Sequence, residues 1–309
     1  MKGGADGGLM PQGPQRGWDW PRKVAAPGDA GTVRLGVIML CHDDLDLAGN
    51  LLRRWADAGA CVAVHVDRRA SPTALAALQS GLADLPEVIF TPRRHCEWGT
   101  FSLVAATLDA AEALLARFAD VTHVLLVSGS CLPLRPVAEL CAYLAENPAR
   151  DHIESVTVVD SGWVIGGLGE ERFHYYFPFG WRSRRRWFDR LVALQSRLQI
   201  RRPLPPGLNP HLGSQWWCLT RATLQAILTD PRRPEYDRYF RRVWIPDESY
   251  FQTLARLHSP AIESRSLTLA KFDSQGKPYT FYDDHLDMLA QSRCFVARKI
   301  WPHDRYRRD

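Results

Sequence analysis

From Val33 onward the apolar and polar positions switch repeatedly between two periods. Val33-Arg34-Leu35-Gly36-Val37-Ile38-Met39-Leu40 is a short apolar run that predicts a buried strand, and it leads into Cys41-His42-Asp43-Asp44. Apolar positions between Leu47 and Ala58 then recur at helical spacing, and Cys61-Val62-Ala63-Val64-His65-Val66-Asp67 predicts a second strand. A helix over Pro72 to Leu82, a strand at Val88-Ile89-Phe90, a long helix from Phe101 to Phe118 and a strand at His123-Val124-Leu125-Leu126-Val127 complete the first half. This alternation predicts an α/β fold, a mostly parallel central sheet with helices on both faces, whose ligands bind beyond the carboxyl ends of the strands. His42, Asp67 and Ser128 all fall at such ends.

The second half is less regular. Val243-Trp244-Ile245 reads as a strand end closed by Pro246, and Tyr250, Phe251, Leu254 and Leu257 continue at helical spacing. Asp247 and Glu248 would then stand at a helix start. They are either ordinary acidic capping residues, or one of them is a general base kept ionised by the unpaired N–H groups and the helix dipole. Between the halves, residues 173–209 form an inserted basic segment. Trp187, Leu191, Leu194 and Leu198 make a helical stripe, surrounded by Arg182, Arg184, Arg185, Arg186, Arg190, Arg197, Arg201 and Arg202. Such a helix can make a peripheral contact with an anionic membrane, or it can cap a cleft by packing on the body.

Residues 1–31, rich in Gly, Pro and Ala and without periodicity, are expected to be a flexible leader; they lack the apolar core of a signal peptide. A single domain is expected over 32–302 and a short tail over 303–309. No apolar run approaches the length that spans a bilayer, so any membrane association would be peripheral. The net charge of +5 is too small to argue for a nucleic-acid partner without a binding motif, and none is present. Seven scattered cysteines with no CxxC pair suggest buried thiols in a reducing compartment, hence the cytoplasm or the inner face of its membrane.

Several short motifs follow one another in a fixed order: His65-Val66-Asp67-Arg68-Arg69, Trp98-Gly99-Thr100-Phe101-Ser102, Ser128-Gly129-Ser130-Cys131-Leu132-Pro133-Leu134, Gly213-Ser214-Gln215-Trp216-Trp217, Pro246-Asp247-Glu248-Ser249 and Phe295-Val296-Ala297-Arg298-Lys299. In this order, from about Val33 to Trp301, the chain resembles the core-2/I-branching β-1,6-N-acetylglucosaminyltransferases, the family that also contains the peptide O-xylosyltransferases. The resemblance implies a GT-A-like fold and inverting transfer of a sugar from a UDP donor, with no metal or other cofactor, to a hydroxyl of a glycan or glycoconjugate. It implies Glu248 as catalytic base, Lys299 as a ligand of the donor diphosphate with Arg298 beside it, and Asp67 as a ligand of the uridine. Ser128 and Gly129 would line the donor site, while Glu154 and Arg172 match acceptor-binding positions. Lys277 and Arg265 are both candidates for a second diphosphate-binding cation. Many relatives carry Asp where this chain has Cys131, which leaves N-acetylglucosamine and xylose both open as the donor sugar.

The chemistry asks for these residue types independently. A single displacement needs a carboxylate to take the acceptor proton and positive charge to stabilise the departing diphosphate. Asp44-Leu45-Asp46, the one Asp-x-Asp, lies at a helix start and reads as capping and surface charge. Fixed cations are therefore expected to do what a metal ion does elsewhere. Trp216 and Trp217 are read as a pair of which one faces the core and the other the acceptor cleft. A catalytic thiol at Cys131 lacks a clear base. The alternative reading is a metal-dependent hydrolase or deacetylase with His42, Asp43, Asp44, His65 and Asp67 as ligands. In the preferred reading His42 and His65 are structural and are satisfied by backbone groups.

Overall fold

Leu35–Cys41, Cys61–Val66 and His123–Ser128, strands expected in the first half, are buried along their whole length, as a sheet covered on both faces requires, whereas Val88–Phe90 at the sheet edge is half-buried. The computed structural model describes residues 33–161, 168–272 and 278–300. The expected leader, the tail and Lys277 lie outside the described residues. β1 (Leu35–Cys41), α1 (Leu45–Asp57), β2 (Cys61–Val66), α2 (Pro72–Gly81), β3 (Val88–Phe90), α3 (Ser102–Arg117) and β4 (His123–Ser128) follow the pattern to within two residues at each end. Next come β5 (Leu132–Pro133), α4 (Val137–Ala145), β6 (Asp151–His152), β7 (Val156–Thr157), α5 (Glu171–His174), α6 (Arg185–Arg197) and β8 (His211–Leu212). The chain closes with β9 (Cys218–Thr220), α7 (Arg221–Thr229), α8 (Arg233–Phe240), α9 (Tyr250–His258), β10 (Ile262–Glu263), β11 (Thr268–Ala270), α10 (Leu286–Ala290) and β12 (Val296–Arg298).

Among the described residues the main sheet has seven strands in the order β10-β6-β9-β4-β1-β2-β3. Its β4-β1-β2-β3 half is parallel, and β9 enters antiparallel to both β4 and β6. Parallel crossovers, right-handed as a general rule, carry the chain outward from β1 to β3 through α1 and α2, which pack on each other. The return through α3 to β4 reverses direction, so α3 covers the opposite face. This bears out the mixed α/β architecture with a mostly parallel sheet, an arrangement consistent with a GT-A-like fold. The strand order reverses between β1 and β4, where such sheets open a crevice. Register fixes that crevice: Leu40 lies opposite both His65 and Ser128, and the Asp67 amide donates to the Cys41 carbonyl at 2.8 Å.

Local chemistry explains the element ends. Asp44 adopts the left-handed conformation tolerated by Asp, and its carboxylate accepts from the Leu47 amide at 3.0 Å, capping α1. α1 then buries Leu45, Ala48, Leu51, Leu52 and Trp55 on one face. Each fully buried Leu, Ile or Val contributes about 1.5–3 kcal/mol, so the β1–β4 region anchors the domain. Gly36 permits the close approach of α3, since a Cβ there would meet Leu114 Cδ2 at 2.7 Å.

Two smaller sheets hold the site. β12 lies between β11 and β5, pairing antiparallel to β5 so that Ala297 faces Leu132. β7 pairs antiparallel to β8, with Val156 opposite Leu212. One expectation fails: Val243-Trp244-Ile245 is not a strand but a bend. Pro246 disfavours helical geometry at the residue before it, and Ile245 takes a left-handed conformation (φ 51°) that a β-branched side chain adopts only at a cost of about 1–2 kcal/mol. The Ile245 amide donates to the Gly99 carbonyl at 3.2 Å, and Ile245 is fully buried, which together hold it there. Asp44→Ala should lower unfolding stability by roughly 1–2 kcal/mol through loss of the cap and a less tolerant left-handed residue, measurable as a lower urea midpoint at unchanged slope.

Candidate active site

The crevice at the ends of β1 and β4 is lined by His42, Asp43, Ser128, Gly129, Ser130 and Lys299. Gly129 is needed for this close approach: a Cβ would come within 3.2 Å of the Ala48 Cβ and 3.3 Å of the Cys41 sulfur. Cys131 is buried beneath the same loop, and its sulfur accepts from the Ser128 amide at 3.2 Å. Burial raises its pKa and keeps it a thiol, which removes the reading of Cys131 as a nucleophile.

Asp67 occupies the predicted strand end but is turned inward. Both carboxylate oxygens are engaged: Oδ1 by the Arg69 amide and Nε at 2.8 and 3.0 Å, Oδ2 by Arg69 Nη2 at 2.9 Å and the Cys96 amide at 3.0 Å. Burial pushes its pKa up, but the hydrogen bonds from Arg69 and Cys96 prevail and hold it at about 2. Asp67 is thus a positioning group in this arrangement. The residue it positions, Arg69, was not singled out by sequence. With half of its side chain exposed, it stands close enough for its charge to act, together with that of Lys299, on His42. The Asp-Arg-Arg sequence carried a usable signal, since an aspartate two residues before an arginine can hold it bidentately.

The C-terminal segment comes back over the crevice. Pairing of β12 with β5 brings Arg298 and Lys299 alongside the Ser128–Pro133 loop, and the Ile300 amide donates to the Ser130 carbonyl at 3.1 Å. The Arg298 guanidinium stacks 4.5 Å from the centroid of the Trp216 ring, and its Nε donates to Ser128 Oγ at 3.4 Å. Lys299 lines the crevice itself.

Beside this basic edge lies an acidic cluster on the Pro246–Glu248 3-10 turn that precedes α9. Arg172, from α5, is fully buried (0% exposed) and places Nη1 3.6 Å from Glu248 Oε2. Among the described residues, Arg172 Nη1 and Nη2, Glu248 Oε2 and Asp247 Oδ1 are buried without a hydrogen-bond partner. Buried polar atoms are ordinarily paired, so this concentration marks a place built for a polar ligand. Burial, and then the charge of Asp247, raise the Glu248 pKa; Arg172 opposes them without prevailing. Burial likewise raises Asp247, against the charges of Arg172 and Arg298. Against the expectation of a carboxylate kept ionised by a helix N-terminus, burial and the neighbouring Asp247 charge both oppose ionisation of Glu248.

The Gly213-Ser214 loop ties the acceptor-side candidates together. The Gly213 amide donates to the Glu248 carbonyl at 3.0 Å, the Ser214 amide to Glu154 Oε2 at 2.9 Å, and Gln252 Nε2 to the Ser214 carbonyl at 2.7 Å. Only glycine fits at 213, where a Cβ would lie 1.7 Å from the Glu154 carbonyl oxygen. Glu154, Arg172 and Glu248 are thus brought to one place, and the negative charge of Glu154 adds to the upward shift at Glu248.

Other expectations are redistributed. Trp216 and Trp217 precede β9 and are both buried, at 5% and 1% exposure. Trp217 packs at a tilt against Phe251, ring centroids 4.9 Å apart, and is a core residue, while Trp216 turns its face to Arg298. Arg265 joins a cluster with Glu263 and the Tyr143 hydroxyl and does not reach the crevice group. His65 accepts from the Arg94 amide at 2.9 Å, as a structural histidine would, whereas His42 is exposed at the crevice and not backbone-satisfied among the described contacts. The ligand set of the hydrolase reading does not assemble: Asp44 caps α1, Asp67 holds Arg69, and among the described residues no three His, Cys, Asp or Glu converge as metal ligands.

The model of the family described as Core-2/I-Branching enzyme matches residues 38–289. The chain is 23% identical over 219 residues to beta-1,3-galactosyl-O-glycosyl-glycoprotein beta-1,6-N-acetylglucosaminyltransferase 3 of Ovis aries, a match covering 71% of this chain and 46% of that protein. The corresponding enzyme of Bovine herpesvirus 4 is 22% identical over the same shares. Xylosyltransferase 2 of Bos taurus is 24% identical over 80% of this chain and 27% of its own length. The chain therefore spans less than half of these relatives.

The Asp247–Glu248 carboxyl pair has a measurable consequence for stability. The folded-state pKa of Glu248 lies above its ordinary value of 4.5, so the folded chain holds the proton more tightly than the unfolded one. Stability is lost as pH rises from that value through the folded pKa. Glu248→Gln cannot lose this proton. Its Tm, relative to the native chain, should rise between about pH 5 and about pH 8; a difference independent of pH would contradict the assignment.

Proposed function

As the chain belongs to the core-2/I-branching enzyme family, we propose that it is an inverting glycosyltransferase moving N-acetylglucosamine or xylose from a UDP-sugar to a hydroxyl of a glycan or glycoconjugate. The observation that carries this reading is the adjacency of two opposite sites. A basic edge formed by Arg298, Lys299 and Arg69 faces the sheet crevice, and the partly buried Glu248 carboxylate, with its Oε2 enclosed, lies beside Arg172. The charge of Arg298 reaches Asp247, which joins the two halves.

In this reading Glu248 removes the acceptor hydroxyl proton while that oxygen attacks the anomeric carbon, and the carbon–oxygen bond to the diphosphate breaks from the opposite face. Lys299 and Arg298 stabilise the departing UDP, with Arg69, oriented by Asp67, as the second cation in place of Arg265. A raised Glu248 pKa makes the residue a stronger base once it is deprotonated. Glu154 and Arg172 orient the acceptor. Fixed cations make the transfer metal-independent. Free thiols at all seven cysteine positions support a reducing, cytoplasmic location, and we take residues 32–302 as one transferase domain.

Glu248→Gln should lower transfer about a hundredfold or more while leaving UDP affinity, read by calorimetry, nearly unchanged. Near-native turnover would remove Glu248 as the base. Lys299→Ala should weaken UDP binding and lower turnover together, with the larger effect on turnover, because diphosphate charge grows toward the transition state. Transfer should also persist in EDTA; restoration by manganese after inhibition by EDTA would contradict the role given to the cations.

A further inference from the structure

The inserted segment exposes the apolar stripe predicted for it and buries a different face. α6 packs on the body through Phe188, Val192 and Gln195, with the Phe188 ring 5.4 Å from that of Trp244. The more apolar stripe faces outward: Trp187, Leu194 and Leu198 are 62%, 52% and 60% exposed. At about 100° per residue, Trp187, Leu191, Leu194 and Leu198 form one line along the helix, and Arg186, Arg190 and Arg197 form a second, roughly 80° away. All three arginines are exposed, and the Arg190 guanidinium lies 5.5 Å from the Trp187 ring centroid. Between residues 182 and 201 the chain carries seven arginines against one acidic residue, Asp189.

We propose that α6 is a membrane-docking helix that lies in the plane of a bilayer bearing anionic phospholipid headgroups. The stripe would enter the acyl boundary while Arg186, Arg190 and Arg197 meet headgroup phosphates. Charge decides between this occupant and a second copy of the chain. A symmetric pairing of two stripes would bring two arginine rows together, whereas an anionic surface neutralises them. No helix among the described residues is long and apolar enough to cross a membrane, so the contact is interfacial. Because Trp244 separates α6 from the Pro246–Glu248 turn, docking sets the acceptor side of the site close to the bilayer, where a lipid-borne hydroxyl would be presented. The docking does not depend on the proposed chemistry at Glu248.

The test is co-sedimentation of the full chain with vesicles of phosphatidylcholine alone and of phosphatidylcholine mixed with phosphatidylglycerol, at low and high salt. Binding is expected only to the mixed vesicles and should weaken with salt. Arg186→Gln/Arg190→Gln/Arg197→Gln and Trp187→Ser/Leu194→Ser/Leu198→Ser should each weaken it about tenfold or more. These side chains are exposed, so the native Tm should be kept; if the apolar variant unfolds, the arginine variant and the salt dependence decide. No binding to mixed vesicles, or equal binding by the arginine variant, would overturn the proposal. So would a concentration-dependent dimer, seen by sizing, that the apolar variant abolishes without any vesicle binding.

Discussion

Two adjacent carboxyl groups, Asp247 buried and Glu248 partly buried, beside one enclosed guanidinium set the terms for the rest of this molecule. Asp247 and Glu248 sit in a turn whose interior position opposes their ionisation, and Arg172, fully enclosed, is the counter-charge that makes the arrangement tolerable. The surrounding structure supports the turn from several directions. Gly99 accepts from Ile245, the aromatic cluster of Phe177, Phe188 and Trp244 packs behind it, and the Gly213 loop closes over it from the β7–β8 pair. Backbone strain at Ile245 is held by this packing, as is common where geometry serves chemistry.

A second requirement is that positive charge stand beside that turn without collapsing onto it. The sheet solves this through topology. The β1–β4 reversal opens a crevice, and the β5–β12 pairing carries the end of the described chain back to it. Arg298 is restrained by Trp216 and Ser128, Arg69 by both oxygens of Asp67, so neither is drawn into the acidic pair. Cations fixed in advance stabilise a developing diphosphate charge without reorganising during the reaction.

The first half of the fold was legible because its strands are apolar on both faces and its helices follow a 3.6-residue period; β1 to β4 appear where the pattern places them. Glu154, Arg172 and Glu248 were legible only through motif order, since they come from separate loops that tertiary pairing brings together. What failed has identifiable causes. Val243 to Ile245 looked like a strand because apolar residues there serve an aromatic cluster and not a ladder. Asp67 stands at the strand end that the pattern gives it, and there its carboxylate holds Arg69, a pairing that periodicity does not reveal. Periodicity identified the stripe on α6 but could not say which face is buried, and the structure buries Phe188 and Gln195 in its place.

The central claim, that Glu248 is a base whose proton affinity is raised by burial and by its neighbour Asp247, is tested most directly by the pH dependence of kcat/KM for native chain and Asp247→Asn. The native profile should rise with pH along a limb displaced upward from the ordinary carboxylate range. Loss of the Asp247 charge should move that limb to lower pH, because the neighbour no longer opposes ionisation of Glu248. A flat profile, or a limb that stays in place in the variant, would contradict the account.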